Sequence, residues 1–246
     1  MTNAKQVRTA REKAAAMRAE AARAELRRKR LLVALTALGA AVVVVLVTIL
    51  VLVAKDKENA QSAPPKNLVN GAILQGNANA KVTIDLYEDF QCPVCKEEHL
   101  TNESQYDKWV KAGTVKIMIH PIAILDHNST SSYSSRALNA AAAVENYAPA
   151  SFLQFRNLLF INQPAEGTAG LTDDQLIQYA VQAGAPEAQI RKAVQGQDFL
   201  GWAAKTTDDS GKAGVTSTPT IKIDGVKMKD WSLPVLTAAV TAASTK

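Results

Sequence analysis

A run of 23 residues without a charged side chain divides this chain of 246 residues into two very different parts. The run extends from Leu31 to Val53 and includes only two threonines and one glycine. As a helix rising about 1.5 Å per residue it would be about 34 Å long, enough to cross a hydrocarbon core of about 30 Å. A helix in a soluble core would normally show a polar face, and this run has none. The run therefore predicts a transmembrane helix.

A cleavable signal peptide is the alternative interpretation of this run. Such peptides usually have an apolar region of about 7–15 residues behind a short basic segment. Here the apolar run is longer, and 30 residues precede it. No cysteine follows the run directly, so a lipid-modified N-terminus has no attachment atom. These differences favour an uncleaved signal anchor.

The charges beside the run predict its orientation. Four consecutive basic residues, Arg27 to Arg30, precede it, whereas the flank from Lys55 to Glu58 carries balanced charges. Basic flanks stay on the cytoplasmic side of a membrane. We therefore expect residues 1–30 to form a cytoplasmic basic tail, residues 31–53 to cross the cell membrane once, and the rest of the chain to lie outside the cytoplasm.

The net charge of +5 comes from the N-terminal part of the chain. Residues 1–54 contain ten lysines and arginines against three acidic residues, while residues 55–246 contain 18 against 20, so the net charges are +7 and −2. A basic arm is not a basic domain, and we expect no nucleic-acid partner. Two cysteines exclude a disulfide-rich scaffold and a zinc site with four cysteine ligands, and we expect no metal.

The chain after the apolar run divides into a linker and one domain. Residues 54–67 are polar and include Pro64-Pro65, which favours a linker. Residues 68–246 are enough for one sizeable core. Within them the segment from about 132 to 200 lacks strand signals and contains helical runs near 133–147, 150–161, 172–183 and 186–195.

The domain opens with a strand–helix–strand pattern. Apolar periodicity predicts strands at 82–87 and 114–119, the second stopped by His120-Pro121, with a helix at 93–110 between them. A helical connection of this length implies that the two strands are parallel. After the helical segment, a strand at 220–223, the turn signal Asp224-Gly225, a returning segment and a helix at 233–243 complete the pattern.

The motif Cys92-Pro93-Val94-Cys95 lies where the first strand ends and the helix begins. The unpaired N–H groups and positive dipole at a helix N-terminus stabilise a thiolate. Pro93 suits the first helical turn, where its missing N–H is not needed. Cys95 lies one turn further on the same face and can attack a mixed disulfide formed at Cys92. We therefore expect Cys92 to be the exposed nucleophile and Cys95 the resolving thiol.

Three other interpretations of the two cysteines are weaker. A structural disulfide this short restricts the unfolded chain little. Half a zinc site needs two more ligands, and the three histidines have no pair at zinc-finger spacing. Two unrelated free thiols would not explain the placement at a strand–helix junction. Redox chemistry is the favoured interpretation.

A second signal, Thr216-Ser217-Thr218-Pro219-Thr220, precedes the strand at 220–223. A proline is tolerated as the first residue of a strand. A cis Thr218-Pro219 bond would expose the Thr218 backbone to an incoming chain, and an ordinary trans turn is the alternative.

The sequence resembles the DsbA-like thioredoxin-fold family in three features. These are the string Glu88-Asp89-Phe90-Gln91 before the cysteine motif, the helical insert, and the segment from Gly214 to Thr220 with the hairpin that follows it. More narrowly, they resemble its membrane-anchored members in Gram-positive bacteria, over residues 68–246. The resemblance implies an α/β thioredoxin fold with an inserted helical domain, here preceded by one N-terminal transmembrane helix. It also implies a redox-active Cys92–Cys95 pair, needing no other cofactor, with a cis Pro219 packed against it. Family members oxidise thiols of exported proteins and are reoxidised by a membrane quinone-linked partner.

The sequence departs from the family pattern at two positions. Val94 stands where the oxidases often have a histidine that stabilises the thiolate. Leu86 stands where many relatives carry a buried acid that transfers protons. Strand alternation points Asp85 to the opposite face, so Glu88 is our candidate for that acid. A threonine before the cis proline also occurs in disulfide isomerases, so Thr218 does not separate the two activities.

The sequence thus favours a membrane-tethered thiol:disulfide oxidoreductase, expected as a monomer, that oxidises exported proteins. A disulfide reductase or isomerase supplied with electrons across the membrane is one alternative, and a tethered binding module with a vestigial cysteine pair is another. The remaining prominent side chains fit structural roles. We interpret Lys96 and His99 as solvated helix residues, and the larger aromatic residues as core: Phe152, Phe155, Phe160, Trp202 and Trp231.

Overall fold

A computed structural model describes residues 63–245 and separate positions between 13 and 52. The chain divides into two units, Met1–Asp56 and Lys57–Lys246. Every described position of the first unit is helical. Among the described residues, no helix combines the length and the apolar character needed to cross a membrane. The predicted tail, span and linker each lie partly outside the described residues.

The second unit is built on a five-stranded sheet with the order β1-β3-β2-β4-β5. The strands are β1 (Ile73–Gln75), β2 (Val82–Glu88), β3 (Val115–Pro121), β4 (Thr220–Ile223) and β5 (Val226–Lys227). Strands β2 and β3 are parallel, as the sequence predicts, and the other neighbours pair antiparallel. This arrangement places β2 at the centre of the sheet.

Side chains alternate between the two faces of β2. Val82, Ile84, Leu86 and Glu88 are buried, whereas the intervening residues, including Asp85, are only half-buried. Helix α1 (Pro93–Lys111) packs against β3, and the C-terminal helix packs against β2 and β4. The register pairs Glu88 with Pro121 at the end of the parallel ladder, which sets the point from which the chain turns into α1.

A helical insert separates β3 from β4. Its helices are α2 (Tyr133–Tyr147), α3 (Phe152–Ile161), α4 (Asp173–Gln182), α5 (Glu187–Gly196) and α6 (Leu200–Lys212), with single 3₁₀ turns at Asp126–Asn128 and Pro149–Ser151. Helix α2 contacts each of the other four. Its buried alanines, Ala137 and Ala140–Ala143, let four neighbours approach closely. The predicted insert core is confirmed, because Phe152, Phe155 and Phe160 are fully buried.

The predicted α/β fold with a helical insertion is therefore confirmed, with three local corrections. Strand β3 continues through His120 and Pro121 instead of stopping before them. Pro121 is the last residue of the strand, where its missing N–H interrupts no hydrogen bond within the strand. The edge strand β1 and helix α6 were not predicted. At the far end of the domain, the predicted Asp224-Gly225 turn is present with both φ angles positive, and α7 (Leu233–Ser244) follows.

Candidate active site

Cys92 caps the N-terminus of α1. Its backbone is extended, with φ −72° and ψ 116°, and Pro93 occupies the first turn. The Cys95 backbone N–H donates to the Cys92 sulfur at 3.4 Å. The first turn of α1 contains no acidic side chain. The sulfur therefore lies at the positive end of the helix, where nothing on the first turn opposes a negative charge.

The two cysteines differ in acidity. The pKa of Cys92 is lowered to about 6, mainly because the Cys95 side chain hydrogen-bonds to its sulfur; the backbone N–H groups of Cys95 and Val94 add to this, and burial opposes it. The pKa of Cys95 is raised well above its ordinary value by burial first, and then by the negative charges at Cys92 and Glu88. At neutral pH the thiolate therefore resides on Cys92.

Cys92 is less exposed than the sequence predicts. Only 5% of its surface is accessible, compared with 1% for Cys95. Its sulfur lies 3.4 Å from the Thr218 carbonyl oxygen, so Thr218 is one of the residues that shield the sulfur from solvent. Val94, in contrast, is 43% exposed and presents an apolar side chain between the two cysteines of the motif.

Strand pairing brings Thr218 to the motif. Tyr87 in β2 pairs with Thr220 in β4, so the loop before β4 meets the end of β2 and the start of α1. The Thr218–Pro219 peptide bond is cis, as the resemblance to the DsbA-like family implies. The Thr220 hydroxyl donates to the Ser217 carbonyl at 2.7 Å and braces the loop. Thr218 and Pro219 are both half-buried.

Glu88 corrects our expectation of a proton-transferring acid. It is 1% exposed, as that role would require. Both of its carboxylate oxygens, however, accept hydrogen bonds from Arg156, with Oε1 and Oε2 each 2.7 Å from a guanidinium nitrogen. Both oxygens are thus engaged in a bidentate ion pair, a contact that fits a structural role better than proton transfer. Asp85 lies on the other face as predicted, with Oδ1 3.0 Å from Nε2 of His120.

His99 also corrects the prediction, because it is buried instead of solvated. Its ring packs on Phe160, with 5.0 Å between centroids, and Nε2 lies 3.0 Å from Oδ1 of Asn157. Its Nδ1 lies 3.1 Å from Glu103 Oε2 without hydrogen-bond alignment. Lys96 is half-buried and donates to the Ile161 carbonyl at 3.4 Å. Both residues therefore contact the helical insert.

The insert also holds the motif backbone through Gln163, which sequence reasoning missed. Its side-chain amide donates to the carbonyls of Phe90 and Cys92, at 3.0 and 2.9 Å. Asp89 is a second missed residue: its carboxylate accepts from the N–H groups of Gln91 and Leu125, each at 2.9 Å. Burial raises the pKa of Asp89 to about 6. These contacts fix the turn between β2 and Cys92.

The chain matches a known protein family over most of its length. The family model described as thioredoxin matches residues 69–241, which includes the cysteine motif and the loop before β4. The chain belongs to the thioredoxin family. No curated protein matches it.

Solved structures place this thioredoxin-family protein more narrowly. It is similar to the oxidised DsbA of Mycobacterium tuberculosis, with 27% identity over 71% of this chain and 93% of that chain and a TM-score of 0.61. MdbA of Corynebacterium diphtheriae, a thiol-disulfide oxidoreductase, matches at 25% identity over 74% and 93% of the chains, with a TM-score of 0.58. BdbD of Bacillus subtilis shares the fold, with 21% identity over 75% and 98% and a TM-score of 0.66. The predicted resemblance to the DsbA-like family is confirmed.

The candidate site of this thioredoxin-family protein thus consists of two cysteines, the loop at Thr218-Pro219, and polar contacts from the insert. Within the described part of the chain, no group of three or more histidine, cysteine, aspartate or glutamate side chains is arranged to hold a metal ion. The chemistry available at the site is that of the two sulfurs, which can form and break a disulfide bond.

Proposed function

We propose that this DsbA-like oxidoreductase is tethered to the membrane and oxidises thiols of exported proteins through the Cys92–Cys95 pair. One observation carries the proposal: the hydrogen bond from the Cys95 side chain, helped by backbone N–H groups at the helix start, lowers the pKa of Cys92 to about 6, while burial raises the pKa of Cys95. A sulfur that leaves readily as a thiolate makes its disulfide a good oxidant. The pair therefore favours accepting electrons from substrate thiols.

The reaction begins with the oxidised pair. A substrate thiolate attacks the Cys92 sulfur; the Cys92–Cys95 bond breaks, and Cys95 leaves and takes up a proton. The second substrate thiolate then attacks the substrate sulfur of the mixed disulfide, and Cys92 leaves as the stabilised thiolate. Two electrons pass from two substrate thiols to the cysteine pair, and the substrate gains one disulfide.

The loop before β4 is the proposed contact surface for the substrate chain. The Thr218 carbonyl faces the Cys92 sulfur at 3.4 Å, and Thr218 and Pro219 are partly accessible beside it. Val94, two residues after Cys92 in the chain, supplies an exposed apolar side chain. A substrate segment that reaches Cys92 therefore meets backbone and apolar groups, which suits substrates of varied sequence.

The location and the electron acceptor are proposals that rest on the sequence and the family. The uncharged run at 31–53 and the basic residues before it favour a single-pass anchor with the catalytic domain outside the cytoplasm. The reduced pair must return its electrons, and the resemblance favours a quinone-linked partner in the same membrane. The protein is proposed to act as a monomer.

A disulfide reductase or isomerase is the second candidate. Val94 favours it, because no imidazolium joins the helix terminus in stabilising the Cys92 thiolate. A binding module with a vestigial pair is less supported, since the cysteines keep a hydrogen bond and opposite pKa shifts.

An oxidative refolding assay tests the proposed function. The oxidised full-length protein in detergent is mixed with a reduced, unfolded enzyme whose activity needs disulfides. We expect stoichiometric recovery of activity, and none with Cys92→Ser. Reduction of insulin without any oxidative refolding would support the reductase alternative, and inactivity in both assays would support the binding module.

A further inference from the structure

A tight turn leads the chain from β2 to Cys92, and Asp89 accepts two of its hydrogen bonds. The Cys92 backbone N–H donates to the Asp89 carbonyl at 3.0 Å, and the Gln91 backbone N–H donates to Oδ1 of the Asp89 side chain at 2.9 Å. An aspartate at the first position of a turn makes these bonds with the residues two and three positions later. Cys92 is both the last residue of this turn and the N-cap of α1. The place of its sulfur at the helix start therefore depends on Asp89.

The Asp89 carboxylate also joins this turn to two other segments. Its Oδ2 accepts from the Leu125 backbone N–H at 2.9 Å, in the loop after β3, and its Oδ1 accepts from the Ser134 hydroxyl at 2.6 Å, in helix α2 of the insert. The residue is completely buried. An ionised carboxylate can accept all three hydrogen bonds, because it has two oxygens and carries no proton of its own. The ionised side chain thus holds the turn, the loop and the insert together at one point.

The titratable groups that face Asp89 include no cation within the described residues. Asp126, in the 3₁₀ turn after β3, contributes a second negative charge, and Tyr133 in α2 has a pKa that burial and then Asp89 raise. On α1 the titratable neighbours are Cys92 and Cys95, whose sulfur accepts a hydrogen bond from the Asp89 backbone. Burial, the largest cause, raises the pKa of Asp89 to about 6. Asp89 therefore changes its charge in the same pH range as Cys92.

The hydrogen bonds of the carboxylate determine which oxygen can take up a proton. A proton on Oδ2 would deprive the Leu125 N–H of its acceptor. A proton on Oδ1 can be donated to the Ser134 oxygen, because the Ser134 hydroxyl has a second acceptor, Oε1 of Gln91, at 3.3 Å. The Gln91 amide is oriented for this, since its Nε2 donates to the Asn128 carbonyl at 2.7 Å. The Gln91 backbone N–H then loses the carboxylate as its acceptor, so protonation weakens the turn.

We propose that Asp89 is a positioning residue for Cys92, because only its ionised carboxylate holds the turn that places the Cys92 sulfur for reaction. Protonation of Asp89 then slows Cys92 by more than the loss of the thiolate alone. The proposal deepens the proposed function and takes from it only that Cys92 is the reacting sulfur. It gives the reactivity of Cys92 a steeper dependence on pH than a single thiol can have.

The rate at which iodoacetamide alkylates Cys92 tests the proposal, because this reagent carries no charge at any pH used. The reduced full-length protein in detergent is compared with Asp89→Asn, whose amide can donate to Ser134 and accept from Leu125 as a protonated aspartate does. We expect Asp89→Asn to react about tenfold more slowly than the wild type at pH 8 and at the same rate near pH 4.5, where Asp89 of the wild type is protonated as well. A merely structural defect would give the same ratio of rates at every pH.

Asp230→Asn is the matched control. Asp230 makes the same kind of turn bond, with the Ser232 N–H donating to its Oδ1 at 2.8 Å, but at an exposed position. This variant should follow the wild-type profile at every pH. If Asp89→Asn does not fold, the wild type alone decides. Its rate should then fall more than tenfold between pH 6 and pH 5, whereas a single ionisation lowers a rate by at most about tenfold per pH unit.

A ratio of the two rates that stays constant with pH would overturn the proposal. A variant that reacts faster than the wild type at pH 8 would also overturn it, because the charge of Asp89 would then only repel the thiolate. With the wild type as the only folded protein, a fall of tenfold or less between pH 6 and pH 5 would do the same. Failure of the proposed function looks different, because a protein that oxidises no substrate in the refolding assay can still show this pH profile.

Discussion

The Cys95 backbone N–H donates a hydrogen bond to the Cys92 sulfur across 3.4 Å. This bond spans the first turn of α1, at whose two ends the sulfurs have opposite acidities. Cys92 is the N-cap residue of the helix and its pKa is lowered to about 6, whereas burial raises the pKa of Cys95. The junction between strand and helix thus makes one cysteine a nucleophilic thiolate and keeps the other as a protonated thiol, although the two side chains are identical.

The first prediction concerns the acidity of Cys92. The alkylation rate of the reduced protein with iodoacetamide should rise with pH around a midpoint near 6, and the modified residue should be Cys92. Mass spectrometry of the digest identifies the site. A midpoint near the ordinary thiol value of 9.0, or faster labelling of Cys95, would contradict the assigned roles.

The same shift predicts how the stability of the reduced protein depends on pH. The folded pKa of Cys92 is below its unfolded value, so the thiolate stabilises the fold fully above about pH 9 and this contribution is lost as pH falls through about 6. Urea unfolding of the reduced wild type and of Cys92→Ser should therefore diverge as pH rises from 6. Parallel pH profiles of the two proteins would contradict the lowered pKa.

The second prediction concerns trapping of substrates. Cys95→Ser should accumulate mixed disulfides with exported proteins, because the resolving thiol is absent, whereas Cys92→Ser should accumulate none. Non-reducing gels of cells expressing each variant, followed by identification of the trapped proteins, measure this. Equal trapping by both variants would show that Cys92 is not the attacking sulfur.

The third prediction concerns Gln163. Gln163→Leu removes the donor to the Phe90 and Cys92 carbonyls and should lower the free energy of unfolding by about 1–2 kcal/mol. It should also move the alkylation midpoint of Cys92 upward, because the cap is held less firmly. Gln189→Leu, at an exposed position of α5, is the matched control and should change neither quantity.

Local patterns in the sequence were sufficient to predict the centre of the fold. Alternation in β2, the proline in the first turn of α1 and the Asp224-Gly225 turn are short-range signals, and each element lies where it was expected. Strand β1 has three residues, too few for a periodic pattern, and it exists because it pairs with β3. Helix α6 contains Gly201 and Gly211, which weaken a helical pattern, and its packing on α2 compensates.

The cysteines and the loop at Thr218 could likewise be predicted, because motif and family resemblance mark them. The contacts of Arg156 and Gln163 could not, since these residues are 68 and 71 positions away from their partners Glu88 and Cys92. No local pattern links such positions. The same long-range contacts explain why Glu88 is held in an ion pair and why His99 is buried against the insert.

The fourth prediction concerns topology. The uncharged run at 31–53 with its basic N-terminal flank predicts an uncleaved anchor with the C-terminus outside the cytoplasm. A reporter enzyme that is active only outside the cytoplasm, fused after Lys246, should be active in cells. Recovery of most of the protein in soluble form, beginning near residue 55, would contradict the anchor.

The reduction potential of the Cys92–Cys95 pair tests the central claim most directly. It is measured by equilibrating the protein with glutathione buffers of increasing ratio and trapping free thiols with an alkylating reagent. Because the thiolate of Cys92 is stabilised in the reduced state, we expect a potential well above the value of about −270 mV typical of thioredoxin. Val94 supplies no imidazolium, so the potential should remain below about −120 mV, the value of the strongly oxidising DsbA type. A potential near or below that of thioredoxin would contradict the oxidase assignment and favour a reductase.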